Sequence, residues 1–228
     1  MDINNFWVFA FAGLLLNLTP GNDMIYVATR SAGQGIKAGI VSALGITAGC
    51  MVHIFAAVIG LSAILAQSAF AFDIIKYLGA AYLVYLGVRS LLSKKQGFAI
   101  QTGIEKYSYS KIFWQGVITN ILNPKVALFF LAFLPQFINV PSTSISDGAS
   151  SITISEEHNK VMPAHWQILF LGTWFNISGL VVNGLVAILF GKIGGWLSQS
   201  RRFVKWQERI TGLMLIALGI KVALSSRK

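Results

Sequence analysis

Long stretches of the chain are apolar on every side, not along a single stripe, and the charged residues collect in short connections between them. A run of about 20 apolar residues is the length that crosses a bilayer as a helix. Six such runs are expected, at residues 5–29, 39–66, 74–92, 112–138, 165–190 and 210–224. The sixth is short for a span. It can continue back through Phe203-Val204-Lys205-Trp206, with Arg209 and Lys221 reaching the interfaces by their long stems. The expected fold class is therefore an all-α integral membrane protein, a single domain over 1–228.

Two of the runs contain what a spanning helix normally avoids. The first holds Asn17-Leu18-Thr19-Pro20-Gly21-Asn22-Asp23 and the fourth holds Asn120-Ile121-Leu122-Asn123-Pro124-Lys125. Proline removes a backbone donor and clashes with the preceding turn, and a charge at membrane depth is costly. Backbone of this kind is tolerated at that depth only inside protein or beside a water-filled cavity. The first and fourth helices are thus expected to be broken.

The breaks fall at matching places in two halves, 1–95 and 111–228. A second echo pairs Leu83-Val84-Tyr85-Leu86-Gly87-Val88-Arg89 with Leu215-Ile216-Ala217-Leu218-Gly219-Ile220-Lys221. The longer spacing in the second half is absorbed by an outer loop at 139–164, rich in Ser and Thr, read as a surface connector or a short lid. Three spans per half is an odd number, so the second half enters the membrane from the opposite side. That is an inverted-topology repeat, the pattern of secondary transporters with a midplane site between interrupted helices.

Charge sets the orientation. Of the 18 Lys and Arg residues, 12 fall in loops one, three and five and 5 on the opposite side, with Lys125 inside the membrane. Basic loops face the cytoplasm, which places both termini outside. The net charge of +10 invites a nucleic-acid partner, but its loop-by-loop distribution follows the bilayer instead. Trp7, Trp114, Trp166 and Trp206 are placed as interface anchors. The first residues lack a basic segment and a small-residue cleavage site, so no cleaved leader is expected.

Composition agrees with this picture: 55% of residues are hydrophobic and 11% charged, against about 25% charged in soluble domains. The single cysteine, Cys50, rules out an internal disulfide or thiol pair. No metal-ligand cluster, phosphate-binding loop or nucleophile with a base is evident, so neither a cofactor nor an enzymatic activity is expected.

The few polar residues inside the spans are the candidate site. Asp23 can bind a substrate amine, carry a proton, or cap the second half of its helix. Lys125 can hold a substrate carboxylate or pair with Asp23. His53 shares a face with Gly45, Gly49 and Ala57, where it can relay protons or simply pack. Gly172, Asn176, Gly179 and Asn183 form an analogous face that can line a polar path or tie helices together. The candidate binding set is Asn17, Thr19, Pro20, Gly21, Asn22, Asp23, Asn120, Asn123, Pro124, Lys125, Asn176 and Asn183, with Asp23 and His53 as proton carriers.

Five runs carry a family resemblance: Thr19-Pro20-Gly21; Gly33-Gln34-Gly35-Ile36-Lys37-Ala38-Gly39; Val52-His53; residues 76–87; and residues 123–137. Through them the chain resembles the LysE/RhtB family of bacterial amino-acid exporters, the lysine exporter and homoserine/threonine resistance proteins. The resemblance implies an inner-membrane exporter of amino acids or close derivatives, driven by an ion gradient. It departs at Asn22-Asp23, where many relatives carry a further proline, and in the fifth span, which has Asn176 and Asn183 where relatives often have an acid.

These readings combine into a secondary exporter of homoserine-, threonine- or lysine-type cargo, proton-coupled and working by alternating access. Its partners are then the amino acid, a coupling proton and the lipid bilayer. The glycine faces leave a homodimer open. The alternative is a cation or metal-ion exporter on a related scaffold, for which Asp23 with His53 is a thin ligand set.

Overall fold

A computed structural model of the chain describes residues 3–67, 69–92, 105–138, 162–199 and 201–224. Among these residues the structure is helical throughout, with no strand. The helices are α1 (Ile3–Leu18), α2 (Asn22–Gln34), α3 (Ile36–Gln67), α4 (Ala69–Leu91), α5 (Tyr109–Ile121), α6 (Pro124–Leu128), α7 (Ala164–Gln199) and α8 (Arg201–Leu224). A π-helical turn (Phe129–Phe133) and a 3-10 turn (Leu134–Phe137) continue α6. Most of the expected outer loop, 139–161, lies outside the described residues.

Two helical stretches, Ile36–Gly60 and Ala164–Ile193, are long and apolar enough to cross a membrane alone. Tyr109–Ile121 with Pro124–Phe137 makes a third if the pair, bent by 44°, is one span. Phe6–Leu18 and Gly212–Lys221 are shorter apolar helices. The chain is thus a multi-pass membrane protein built from helices.

Both expected breaks are present, each with a local cause. At the first, Pro20 has no N–H to continue the helix and disfavours helical geometry at Thr19. The Thr19 N–H and hydroxyl both donate back to the Leu15 carbonyl, at 3.0 and 2.9 Å. The chain restarts at Gly21, the N-cap of α2, which has no side chain to cap with. At the second break, Asn123 is an N-cap whose Oδ1 accepts the Lys125 N–H at 3.0 Å, and Pro124 takes the first helical position. Asparagine at the cap followed by proline is a strong helix start. Further on, Pro135 removes the donor that the Leu131 carbonyl would receive, and the helix there widens into the π turn and then tightens.

In lipid the hydrophobic effect gives little drive for helices to associate, so close backbone packing must supply it. The glycines do this. On α3, Gly45 and Gly49 lie directly against the backbone of Phe113 and Val117 on α5, and Gly116 on α5 lies against Ser42. α4 and α8 pack along their lengths: a Cβ at Gly87 would come within 2.6 Å of the Gly212 carbonyl oxygen, and one at Gly219 within 2.8 Å of that of Ala80. The two segments that echo each other in sequence therefore face each other. Gly35, at φ 90°, is the one described residue with positive φ and makes the tight turn between α2 and α3.

An aromatic cluster fills the space between α1, the π turn and α7. Phe129, fully buried, stacks on Phe175 with centroids 4.5 Å apart and on Phe133 at 5.0 Å. Phe9 meets Phe137 edge to face at 5.3 Å. Trp7, Trp114, Trp166 and Trp206 are all exposed, the disposition that interface anchors require.

Candidate functional site

The two breaks lie against each other, and Lys125 is what joins them. Its Nζ donates to the carbonyls of Leu16 at 3.1 Å and Thr19 at 3.0 Å. These belong to the end of α1, where the carbonyls lose their i+4 donors. An ammonium has three hydrogens, and two are placed here. Gly21 makes the approach possible: a Cβ there would stand 3.1 Å from Nζ. Its backbone (φ −157°, ψ −175°) is extended and open to any residue, so the glycine is needed for room, not for conformation.

Asp23 does not meet Lys125: neither a hydrogen bond nor an ion pair joins them. The Asp23 carboxylate is buried in the first turn of α2 and accepts from Asn120 Nδ2 at 2.8 Å through Oδ2. Its Oδ1 has no hydrogen-bond partner, nor do Asn120 Oδ1 and Asn123 Nδ2. His53 comes to the same asparagine from α3, with Nε2 3.0 Å from the Asn120 carbonyl oxygen and its ring stacked near Phe130. Asp23 and His53 thus converge on one residue, Asn120, just before the second break. Because the Asp23 side chain reaches across to α5, it does not cap its own helix.

A cavity of about 280 Å³ lies on the other side of the breaks. Residues 19–22 and 123–125 line it together with Tyr82, Leu86, Arg89 and Ser90 of α4. The volume sits just below the roughly 300–1,000 Å³ of drug-sized ligand pockets, a size for one small molecule. Thr19, Pro20, Gly21, Asn22, Asn123, Pro124 and Lys125 are brought together here.

The remaining candidates are elsewhere. Asn17 Nδ2 donates to the Phe175 carbonyl and the Ser178 hydroxyl, tying α1 to α7 at 3.1 and 3.0 Å. Asn176 donates to the Thr47 carbonyl on α3 at 3.2 Å, and Asn183 is buried further along α7. These three asparagines lie outside the cavity lining.

Two features escape a linear reading of the sequence. Arg89 and Tyr82 line the cavity although Arg89 reads as a loop charge. Arg30, likewise counted with the loops, is buried: it donates to Gln115 Oε1 at 3.1 Å and Gln34 Oε1 at 3.3 Å and lies 4.2 Å over the Tyr107 ring. Gln34 in turn exchanges hydrogen bonds with the Tyr107 backbone, and Tyr26 donates to the Ile112 carbonyl at 2.7 Å. This cluster clamps α2 to the start of α5. Among the described residues no group of three or more His, Cys, Asp or Glu side chains comes together that could hold a metal ion.

Comparisons of the sequence with known proteins identify a family. A family model described as LysE type translocator matches residues 14–155, a stretch that contains both breaks. The membrane protein YrhP of Bacillus subtilis is 30% identical over 220 residues, covering 92% of this chain and 94% of that protein. A leucine efflux protein of Salmonella choleraesuis is 33% identical over 147 residues, 62% of this chain and 68% of that protein. A membrane protein of Vibrio cholerae is 28% identical over 225 residues, 98% of both chains. No solved structure matches.

Proposed function

This chain belongs to the LysE type translocators, a family of transporters and not of enzymes, and from that premise we propose that it is a secondary exporter of amino acids working by alternating access. The observation that carries this reading is the meeting of two broken helices, bridged by Lys125, at the wall of a cavity sized for one small molecule. Interrupted helices whose ends face a central cavity are how secondary transporters present donors and acceptors to a substrate. The leucine efflux relatives point to amino-acid cargo.

In this reading the third hydrogen of Lys125 and the uncapped start of α2 take the substrate carboxylate. Asp23 and His53, joined through Asn120, carry the counter-moving proton, since Asp23 Oδ1 is a buried oxygen with no donor. The six spans are α1 with α2, α3, α4, α5 through the 3-10 turn, α7 and α8, arranged as two inverted repeats with both termini in the periplasm. The packing of α4 on α8, the third span of each half, supports that symmetry. The glycine faces of α3 and α7 are occupied within the chain, Gly45 and Gly49 by α5, Gly172 by Ile54 and Gly179 by Asn17, so a homodimer, if formed, uses other faces.

Counterflow of a panel of labelled amino acids in proteoliposomes, with and without an imposed proton gradient, tests the reading. Amino-acid exchange that the gradient accelerates is expected. Folded protein that exchanges no amino acid but lowers the metal content of loaded vesicles would favour the cation exporter instead. Orientation is tested separately, on a Cys50→Ser background. Lys228→Cys should react with an impermeant maleimide from the periplasmic side, and Lys37→Cys only in inside-out vesicles.

A further inference from the structure

The cavity has a charge bias that amino-acid transport does not by itself require. Among the described residues, two cations, Arg89 and Lys125, stand in its lining, and no acidic side chain does. Asp23 follows the lining residue Asn22 in sequence, yet its carboxylate is buried outside the cavity, where Asn120 holds it. The other contributors to the walls are largely apolar, among them Ile25, Tyr82, Leu86 and Leu215. Resting on the amino-acid reading above, we propose that the cavity selects by charge: it takes amino acids with uncharged, apolar side chains and rejects those with a cationic side chain, and Arg89 is the residue that sets this preference.

The physical reason is the sign of every charge the cargo meets. The substrate carboxylate enters between two cations, both favourable to it. Two of the three Lys125 hydrogens are committed to Leu16 and Thr19, so the guanidinium of Arg89, with its five donors, is the larger supply for a carboxylate. An apolar side chain can lie against Leu86, Leu215 and the Tyr82 ring. A lysine or arginine side chain would bring a further positive charge to a site with two already present and, among the described residues, no acid in the wall to answer it.

The test is counterflow of labelled leucine in proteoliposomes, with unlabelled competitors, for the wild type, Arg89→Gln and Arg89→Lys. For the wild type, isoleucine and methionine are expected to compete and lysine and arginine to fail. Arg89→Gln should raise the half-saturating leucine concentration about tenfold, as loss of a charge-assisted contact requires, and should let lysine compete. Arg89→Lys keeps the charge and loses the fork, so it should raise the half-saturating leucine concentration less than Arg89→Gln does and should still exclude lysine, which separates lost charge from lost fold. Competition by lysine equal to that by isoleucine in the wild type would overturn the proposal. So would an Arg89→Gln protein that handles leucine and lysine as the wild type does. If the folded wild type exchanges no amino acid at all, the failure lies in the transport reading beneath.

Discussion

Lys125→Met keeps much of the side chain's length and apolar volume and deletes its ammonium. Two hydrogen bonds are lost, to the Leu16 carbonyl at 3.1 Å and the Thr19 carbonyl at 3.0 Å. Bonds to charged groups contribute about 1.5–3 kcal/mol each in soluble proteins. Interhelical hydrogen bonds inside a bilayer average about 0.6 and reach about 1.7 kcal/mol. The two ranges meet near ~1.5 kcal/mol per bond, so the substitution should cost about 3 kcal/mol in all. The loss is uneven: the Leu16 carbonyl also accepts the Thr19 N–H at 3.1 Å and keeps a partner, whereas the Thr19 carbonyl sits at the break, where no helix donor follows. Thermal unfolding of the purified protein in detergent measures it, with an expected fall of roughly 6–12 °C at this chain length. A Lys125→Met protein that unfolds with the wild type would refute the bridging role. One that is destabilised but still exchanges amino acids would leave Lys125 as a structural tie and remove it from the substrate's contacts.

Four further substitutions probe other links. Gly45→Ala drives a methyl group into the Phe113 carbonyl, and prying α3 from α5 should cost about 1–3 kcal/mol. Gly184→Ala, with nothing within 4 Å of the added Cβ, should unfold at or slightly above the wild-type temperature in the same assay. Asp23→Asn keeps an oxygen for Asn120 Nδ2 and so should fold normally. Counterflow without a gradient should survive in it, while acceleration by an imposed proton gradient is lost; unchanged acceleration would exclude Asp23 as the proton carrier. Arg30→Gln removes the cation between Gln34, Gln115 and Tyr107 and should speed trypsin cleavage at Lys106 or Lys111, because α2 then no longer clamps the start of α5.

What the sequence makes legible follows from the range of each cause. The breaks at Pro20 and Pro124 act through a missing N–H and a steric clash with near neighbours, so a linear reading locates them to the residue. The glycine face of α3 is visible in its spacing, although its partner, the backbone of α5, is not. The target of Lys125 could not be read, because backbone carbonyls have no letter in the sequence; an acid such as Asp23 is the partner that letters suggest. Arg30 and Arg89 look like loop charges for the same reason. Their surroundings come from elements far away in the chain, Gln115 and Tyr107 for the one and the two breaks for the other.

The separation of Asp23 from Lys125 alters how the two halves of the site must communicate. With no hydrogen bond between them, a proton on Asp23 frees no contact of Lys125 directly. Instead, Asp23 and His53 hold Asn120 at the end of α5, and Lys125 begins α6 just beyond, across a 44° bend. The shared element is the hinge formed by residues 121–124. In the proposed cycle, protonating Asp23 changes its hold on Asn120 and so the angle of that hinge, which shifts Lys125 against the Leu16 and Thr19 carbonyls at the cavity wall. Coupling of this kind needs one element with two positions that both sites bias. The second break, with buried Asn120 and Asn123 atoms still lacking partners, is where the described structure offers one.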